Sequence, residues 1–322
     1  MKRQQGAALL AAMLVVALVA TLASAALWQQ WRQVEIESAE RGRSQTGWMM
    51  TGALDWSRLI LLEDAKSQQG GNADHLGEPW ALPVQESKLS TFLSQDQKWQ
   101  EGDAEVFLSG YITDAQSRLN LRNLVENGTL SLAELSAWRR LFEQLGLPLG
   151  ELSTLVRLLP AALTGSSETD ASKSALAAPL MPQRTAQLVW LGLSPPTVAA
   201  LESFVTVLPE TTAINLNTAP AEVLMACIPG LDMGSARQLL AQRQRTHWAT
   251  LQDVQQALGP LGALLNNKRH GVQSSYFEIN GRMRIDQVVQ QERALVKREG
   301  SNAVRMLWRV RTPLLIHSAP LQ

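Results

Sequence analysis

The chain has 322 residues, with 29 basic and 29 acidic side chains and no formal net charge, a balance that excludes a bulk polyelectrolyte role and gives no charge signal for nucleic acid. Apolar residues at 45% supply a substantial core, and the single cysteine, Cys227, excludes an internal disulfide.

The N-terminus opens with Lys2 and Arg3 in a short leader ending at Gly6, and Ala7 to Trp28 follows without a charged residue. Such a run is long enough to span a bilayer. The basic leader, with no acid before Glu35, places the N-terminus in the cytoplasm and the remainder beyond the membrane. Three readings differ in where the chain is cut. A secretory signal peptide would be cut after Ala23-Ser24-Ala25, an uncut anchor would keep Met1, and a prepilin-type leader would be cut between Gly6 and Ala7. The third accounts for what comes next. Nothing forbids a helix from Ala7 to the first proline, Pro79, and Met49, Ala53, Trp56 and Ile60 recur at helical spacing. A helix from Ala7 to about Leu62 would be roughly 80 Å long. Gly42, Gly47 and Gly52 each cost up to about 1 kcal/mol of helix propensity, so its middle is expected to bend or partly melt.

Ser67 to Gly77 reads as a polar linker, and Glu78-Pro79-Trp80-Ala81-Leu82-Pro83 as an extended segment pinned to a surface. From Glu105 to Thr113, Val106, Leu108, Gly110 and Ile112 alternate with Phe107, Ser109 and Tyr111, which predicts a strand. Asp114 to Leu121 is its exit turn. Between about Leu121 and Asn267 the period becomes helical. Leu132, Leu135, Trp138, Leu141, Phe142 and Leu145 share one face, with Ser131 and Glu134 placed as a capping box. Leu149 to Leu159 begins another helix. Thr218 is expected to cap a helix over Ala221 to Cys227, with Pro220 in its first turn and Cys227 as a buried thiol.

After His270, Ser274 to Ile285, Val288 to Arg298 and Ala303 to Thr312 predict an antiparallel meander. Its arginines and lysine, Arg282, Arg284, Arg293, Lys297, Arg298, Arg305, Arg309 and Arg311, alternate with apolar positions and read as a solvated face. The strand before residue 114 needs partners, and these three are the candidates, so the helical unit is an insertion in one head. The four histidines, His75, His247, His270 and His317, are scattered and read as surface or locally hydrogen-bonded residues. There is no His-Glu-x-x-His, Gly-x-Ser-x-Gly or phosphate loop, so no catalytic residue is expected.

The leader ending at Gly6, the apolar helix, Glu78-Pro79-Trp80-Ala81, Ile112-Thr113-Asp114 leading to Asn120-Leu121, and Leu208-Pro209-Glu210 followed by Ile214 to Pro220 together resemble the minor pseudopilin GspK family of type II secretion systems. The resemblance spans nearly the whole chain. It implies an α+β fold: a leader over 1–6, a helix over 7–65 that spans the membrane at 7–28, a pseudopilin antiparallel head over 66–120 plus 271–322, and an inserted all-helical domain over 121–270. It also implies cleavage between Gly6 and Ala7 with N-methylation of Ala7 by a prepilin peptidase, an inner-membrane anchor with a periplasmic head, and a filament tip shared with minor pseudopilins I and J. No nucleic acid is expected.

Counting from Ala7, the fifth residue is Ala11, where most pilin-like proteins carry a glutamate that meets the amino terminus of a neighbouring subunit. A buried carboxylate without a partner is costly. A subunit with no neighbour above it, at a tip, has no use for one. Calcium is described in relatives, and Glu168 and Asp170 are weak candidates in an acid-poor loop; calcium demands six or more oxygens, so a solvated loop is the reading preferred here.

The rival reading rests on residues 215–243, which resemble a helix-hairpin-helix and, with the membrane helix, the DNA receptors of competence. Such a hairpin brings the backbone amides of a Gly-hydrophobic-Gly turn onto a phosphate. Here Gly230-Leu231 is followed by Asp232, whose carboxylate repels a phosphate, so the hairpin is expected to serve packing.

Overall fold

The computed structural model describes residues 4–67, 73–88, 106–164, 179–285 and 288–312. The chain forms two compact units, divided between Ala53 and Leu54. Helix α1, Gln4–Ser67, is a single α-helix of 64 residues. It begins before Gly6 and continues to Ser67 rather than ending near Leu62. The expected softening at its glycines is not found. A Cβ at Gly42 or Gly52 would meet nothing within 4 Å, so these glycines stand on open helix surface and cost only propensity, about 1 kcal/mol each.

In the second unit a five-stranded sheet has the order β1-β2-β9-β10-β11, with every pairing antiparallel. The strands are β1 (Val84–Lys88), β2 (Val106–Asp114), β9 (Tyr276–Ile285), β10 (Val288–Glu299) and β11 (Ala303–Thr312). Because β2 pairs directly with β9, with Ile112 opposite Ile279 and Asp114 opposite Phe277, everything between them leaves the sheet and returns. The close crossing of the two strands needs Gly110: a Cβ there would lie 2.6 Å from the Asn280 carbonyl oxygen. One face of the sheet buries Ile112, Phe277, Ile279, Ala294, Val296 and Val304 against Leu54 and Leu61 of α1 and Trp80. The Arg58 side chain ties α1 to the sheet by donating to the Val304 carbonyl at 2.6 and 2.8 Å. The other face packs Tyr276 and Leu295 with Ala115 and Leu208.

The segment Glu78 to Pro83 is pinned, but not extended. Pro79–Ala81 forms one 3-10 turn that carries Trp80 into the core, where its Nε1 donates to Glu78 Oε2 at 2.7 Å. Proline's fixed φ suits the first position of such a turn. The polar linker reading also needs correction: Ala73 and Asp74 are buried, with Asp74 0% exposed.

The basic residues of the meander form a solvated face only in part: Arg305, Arg309 and Arg311 are exposed, Arg282, Arg284, Arg293 and Lys297 are half-buried, and Arg298 is buried. Residues 292, 294, 296 and 298 share one side of β10, and Ala294 and Val296 place that side in the core. Glu292, 1% exposed, is therefore paired with Arg309 and Arg311, and buried Arg298 with Asp64 and Asp74. On the opposite side Arg293 binds Glu278 and Glu202.

Between β2 and β9 the described residues are helical or in turns and loops apart from two-residue ladders. Its elements are β3 (Leu119–Asn120), β4 (Val125–Glu126), β5 (Thr129–Leu130), α2 (Leu132–Gln144), α3 (Leu149–Thr164), α4 (Pro195–Leu201), β6 (Val205–Thr206), β7 (Ile214–Asn215), α5 (Ala221–Cys227), α6 (Met233–Arg245), α7 (Leu251–Leu258) and β8 (His270–Gly271). A single apolar cluster, including Leu121, Trp138, Phe142, Leu155, Leu188 and Leu224, holds these together. Ser131 caps α2, accepting the Glu134 N–H at 3.5 Å, but the capping box is not closed. The Glu134 carboxylate instead binds Arg269 at 2.6 Å, since a buried carboxylate gains more from a cation than from one more amide.

Candidate functional site

Two parts of the chain carry the residues singled out by sequence: the apolar stretch of α1 and the joint where the insertion leaves the sheet. Along α1, Leu10, Leu14, Val16, Leu22 and Leu27 are all more than half exposed. Among the described residues α1 is the one helix long and apolar enough to cross a membrane. Its hydroxyls are satisfied internally, Thr21 Oγ1 donating to Leu18 O and Ser24 Oγ to Ala20 O, each at 2.8 Å. Water is thus not needed at that depth. Trp28 and Trp31, with ring centroids 5.5 Å apart, stand at the end of the apolar stretch, where amphipathic rings suit a membrane interface. The Gly6–Ala7 bond, Ala11 and Ala23-Ser24-Ala25 all lie within α1.

At the joint, the segments that looked distinctive in sequence converge. Asp114 ends β2 and is 2% exposed. Its Oδ1 accepts the Gln116 N–H at 2.7 Å, and its Oδ2 accepts from Asn215 Nδ2 at 2.9 Å and from the hydroxyls of Thr218 and Ser274, each at 2.6 Å. Burial pushes the Asp114 carboxyl up, although the hydrogen bonds from Ser274, Thr218, Gln116 and Asn215 pull the other way. Thr218 is therefore not a helix cap. Pro220 holds the cap position of α5 without a side-chain bond, and the Thr218 hydroxyl is committed to a partner 104 residues away.

Alternate residues of Asn215-Leu216-Asn217 reach different elements. Asn215 donates to the Asp74 carbonyl at 3.0 Å as well as to Asp114, while Asn217 exchanges two bonds with the Trp248 backbone at 2.9 and 3.0 Å. Asn120 accepts the Leu208 N–H at 3.1 Å and donates to the Glu210 carbonyl at 2.8 Å. Asn123 closes a reciprocal pair with the Thr212 backbone at 2.8 and 3.0 Å. The asparagines are backbone clamps, for which their paired donor and acceptor suit them.

Below this joint lies a cluster that sequence reading missed. Carboxylate oxygens of Asp64, Asp74 and Glu78 lie within 4.8 Å of one another, close enough for a cation. A guanidinium already serves them: Arg298 binds Asp64 at 3.0 Å, Asp74, and the Ser274 carbonyl at 2.8 Å, above the Phe277 ring. Burial outweighs that cation, raising Asp64 to about 6 and Asp74 to about 7. The three acids are spread over some fifteen residues and their cation is more than two hundred residues away, which is why no local pattern announced them. Glu168 and Asp170, the calcium candidates, lie outside the described residues, as does His317.

The hairpin from α5 to α6 is closed on its own groups. Gly230 turns with φ +83°, and Asp232 caps α6, accepting from Ser235 N at 2.9 Å and Ser235 Oγ at 3.1 Å. Those bonds hold its carboxyl below the usual range. Arg243 points inward, donating to the carbonyls of Leu216 at 2.7 Å and Ala219 at 2.6 Å, and burial lowers it to about 10. Cys227 is a buried free thiol pushed up to about 12 by burial. His270 is not a surface residue. It is 1% exposed, its Nδ1 accepts the Asn266 N–H at 3.3 Å, and burial lowers it to about 4.

Two family models match this chain, both described as "Type II secretion system (T2SS), protein K", over residues 117–210 and 214–273. These ranges meet at the joint. A protein of Pseudomonas aeruginosa named type II secretion system protein K is 27% identical over 297 residues, covering 86% of this chain and 83% of the relative. A namesake from Klebsiella pneumoniae is 28% identical over 282 residues, covering 77% and 78%. Among solved structures, a chain of the GspK-GspI-GspJ complex from the enterotoxigenic Escherichia coli type 2 secretion system aligns with a TM-score of 0.62 at 19% identity, covering 86% of this chain and 99% of that one.

Proposed function

The chain belongs to the family of type II secretion system protein K, and from that membership we propose that it works as a minor pseudopilin at the tip of a periplasmic pseudopilus. The family is one of structural pseudopilins, and the role proposed is structural, with no catalysis of its own. The observation that carries the reading is the single helix α1, which bears an exposed apolar stretch near its start and the core residues Leu54 and Leu61 near its end. That is the construction needed by a subunit held in a bilayer and leading into a folded head. The apolar stretch anchors the chain; the head lies on the periplasmic side of the inner membrane, and a prepilin peptidase cuts between Gly6 and Ala7 and N-methylates Ala7. Its partners are minor pseudopilins I and J, with which it starts filament growth for protein export. Ala11, in place of an acidic fifth residue, suits a subunit with no neighbour above it. This reading requires no cofactor, and calcium at Glu168 and Asp170 is its weaker alternative.

The DNA-receptor reading loses its residues. The Asp232 carboxylate occupies the amides at the start of α6, and Arg243 is spent on internal carbonyls. Intact mass and N-terminal sequence of the membrane-extracted protein, made with and without prepilin peptidase, test the proposal. A peptidase-dependent N-methylated Ala7 is expected. A start at Ala26, or an intact Met1 in both preparations, would overturn it.

A further inference from the structure

The segment between α1 and β1 is held from two sides. On one, Asp74 donates its N–H to the Val272 carbonyl at 2.8 Å and accepts the Ser274 N–H at 2.6 Å. On the other, the imidazole of His75 lies flat on that of His247, with centroids 3.8 Å apart and planes 11° from parallel. His247 belongs to the turn between α6 and α7, in the wall of a cleft of about 760 Å³ also lined by Gln242, Arg245 and Asp253. His75 Nδ1 accepts the Gly77 N–H at 3.1 Å. Only an unprotonated nitrogen can do this, because an imidazolium carries hydrogen on both nitrogens.

We propose that the stacked His75–His247 pair is an acid-sensitive contact, which releases residues 73–80 from the α6–α7 turn when the surrounding pH falls. Protonation acts on this contact twice. A proton on Nδ1 of His75 meets the Gly77 amide hydrogen and breaks that bond, and the charged His75 ring is then held flat against the imidazole of His247, which disfavours that charge. The charged groups around the pair do not cancel this. Glu78, on the same segment, accepts the His75 N–H at 2.9 Å and favours the charged ring; Arg245 and Asp253 flank His247 with opposite signs. Burial, then Glu78 in the opposite sense, then His247 set the balance, and His75 lies below the ordinary histidine range. A depressed histidine pKa contributes stability that is present above the unfolded value, near 6.5, and is lost as pH falls below it. Asp74 works with the opposite sign: burial raises it to about 7, so its protonation on acidification favours the folded form. The contact would make the tie between the first sheet connection and the insertion respond to the acidity of the compartment that bathes the head.

Hydrogen exchange of the full chain in detergent micelles, at pH 7.5 and pH 5.5 and corrected for intrinsic amide rates, reads this contact in peptides covering residues 73–80. Peptides from β9 and β10 report global opening. In the wild type, protection of 73–80 should fall by about threefold or more at the lower pH, while the sheet peptides hold. His247→Phe keeps a stacked ring and removes the imidazole that disfavours charge on His75, so most of that fall should vanish; His247→Lys should loosen the segment already at pH 7.5. The same contrast should persist in an Asp74→Asn background, which removes the opposing carboxyl. An NMR titration gives the second readout, with the His75 midpoint rising in His247→Phe. Equal pH responses in wild type and His247→Phe, no response in the wild type, or an unmoved His75 midpoint would each overturn the proposal.

Discussion

On one face of the sheet, Ile112, Phe277, Ile279 and Val296 meet Leu54, Leu61 and Trp80, and the contact is hydrocarbon. At the end of β2, where the insertion begins, Asp114, Asn215, Thr218 and Ser274 meet through hydrogen bonds. The difference teaches what each contact is for. Apolar burial contributes most of the free energy but has no direction, whereas hydrogen bonds contribute about 1 kcal/mol each and fail when the geometry slips. The first interface therefore holds the sheet to its helix, and the second fixes how the insertion is set on the sheet.

Removing one anchor from each interface sharpens this contrast. Trp80→Ala should cost roughly 3–5 kcal/mol through lost burial and a cavity. Asp114→Ala leaves four buried donors without that acceptor and should cost about 4 kcal/mol, at 1–3 kcal/mol for each orphaned group less what relaxation recovers. Urea unfolding measures both. Their signatures should differ: hydrogen exchange in Asp114→Ala should rise first at residues 115–120 and 214–218, while Trp80→Ala should weaken β9 and β10. Identical exchange patterns would erase the distinction between the two interfaces.

Arg298 belongs to both, lying over Phe277 while binding Asp64 and Asp74. Arg298→Leu strands two buried carboxyls and should cost about 3 kcal/mol at pH 8. Both acids already stand raised, at about 6 and about 7, and lose a cation that lowers them. A raised carboxyl contributes stability present at low pH and lost as pH rises through its folded value, so the cost of Arg298→Leu should be clearly smaller at pH 5 than at pH 8. Equal costs at the two pH values would show that the acids do not titrate in the folded chain.

His270 provides the opposite slope inside the insertion. Its pKa of about 4, below the usual 6.5, means that the folded state resists the proton. Stability should fall as pH drops from 6.5 toward 4, by at most about 3 kcal/mol for a shift of that size. His270→Gln should flatten this part of the profile. Thermal unfolding between pH 4 and pH 7 checks it, and an unchanged profile would place the acid sensitivity elsewhere.

Much of this architecture was legible because periodicity is local. The apolar run of α1, the alternation in β2 and the three C-terminal strands each declare themselves within ten to twenty residues. The sides of β10 were legible too, since residues 292, 294, 296 and 298 must share one; which side is core was not, because that depends on α1, more than two hundred residues earlier. Asp74 looked like linker for the same reason, its burial resting on Arg298. Thr218 shows local logic giving way to tertiary contact. Its position suits a cap, yet the helix begins after Pro220, and the Thr218 hydroxyl donates instead to the buried Asp114 carboxylate, a charge-assisted bond. The motif residues were recognisable as a set before their purpose was, because each polar residue is half of a pair whose other half is distant.

The smallest expected effect decides the remaining question about the hairpin. Asp232 caps α6 through Ser235 at an exposed turn. Glycine is nearly as good a cap, so Asp232→Gly should cost only a few tenths of a kcal/mol. The same change completes the Gly-hydrophobic-Gly turn and removes the carboxylate that repels phosphate. If the hairpin retained a latent nucleic-acid site, affinity for duplex DNA should appear in the variant and weaken steeply with salt. The expected result is no binding in either protein, because Arg243, one of the cations near the turn, is held by the Leu216 and Ala219 carbonyls of the joint. Salt-sensitive binding by Asp232→Gly would mean that the hairpin retains a phosphate site, served by the exposed Arg237 or by an Arg243 drawn away from the joint.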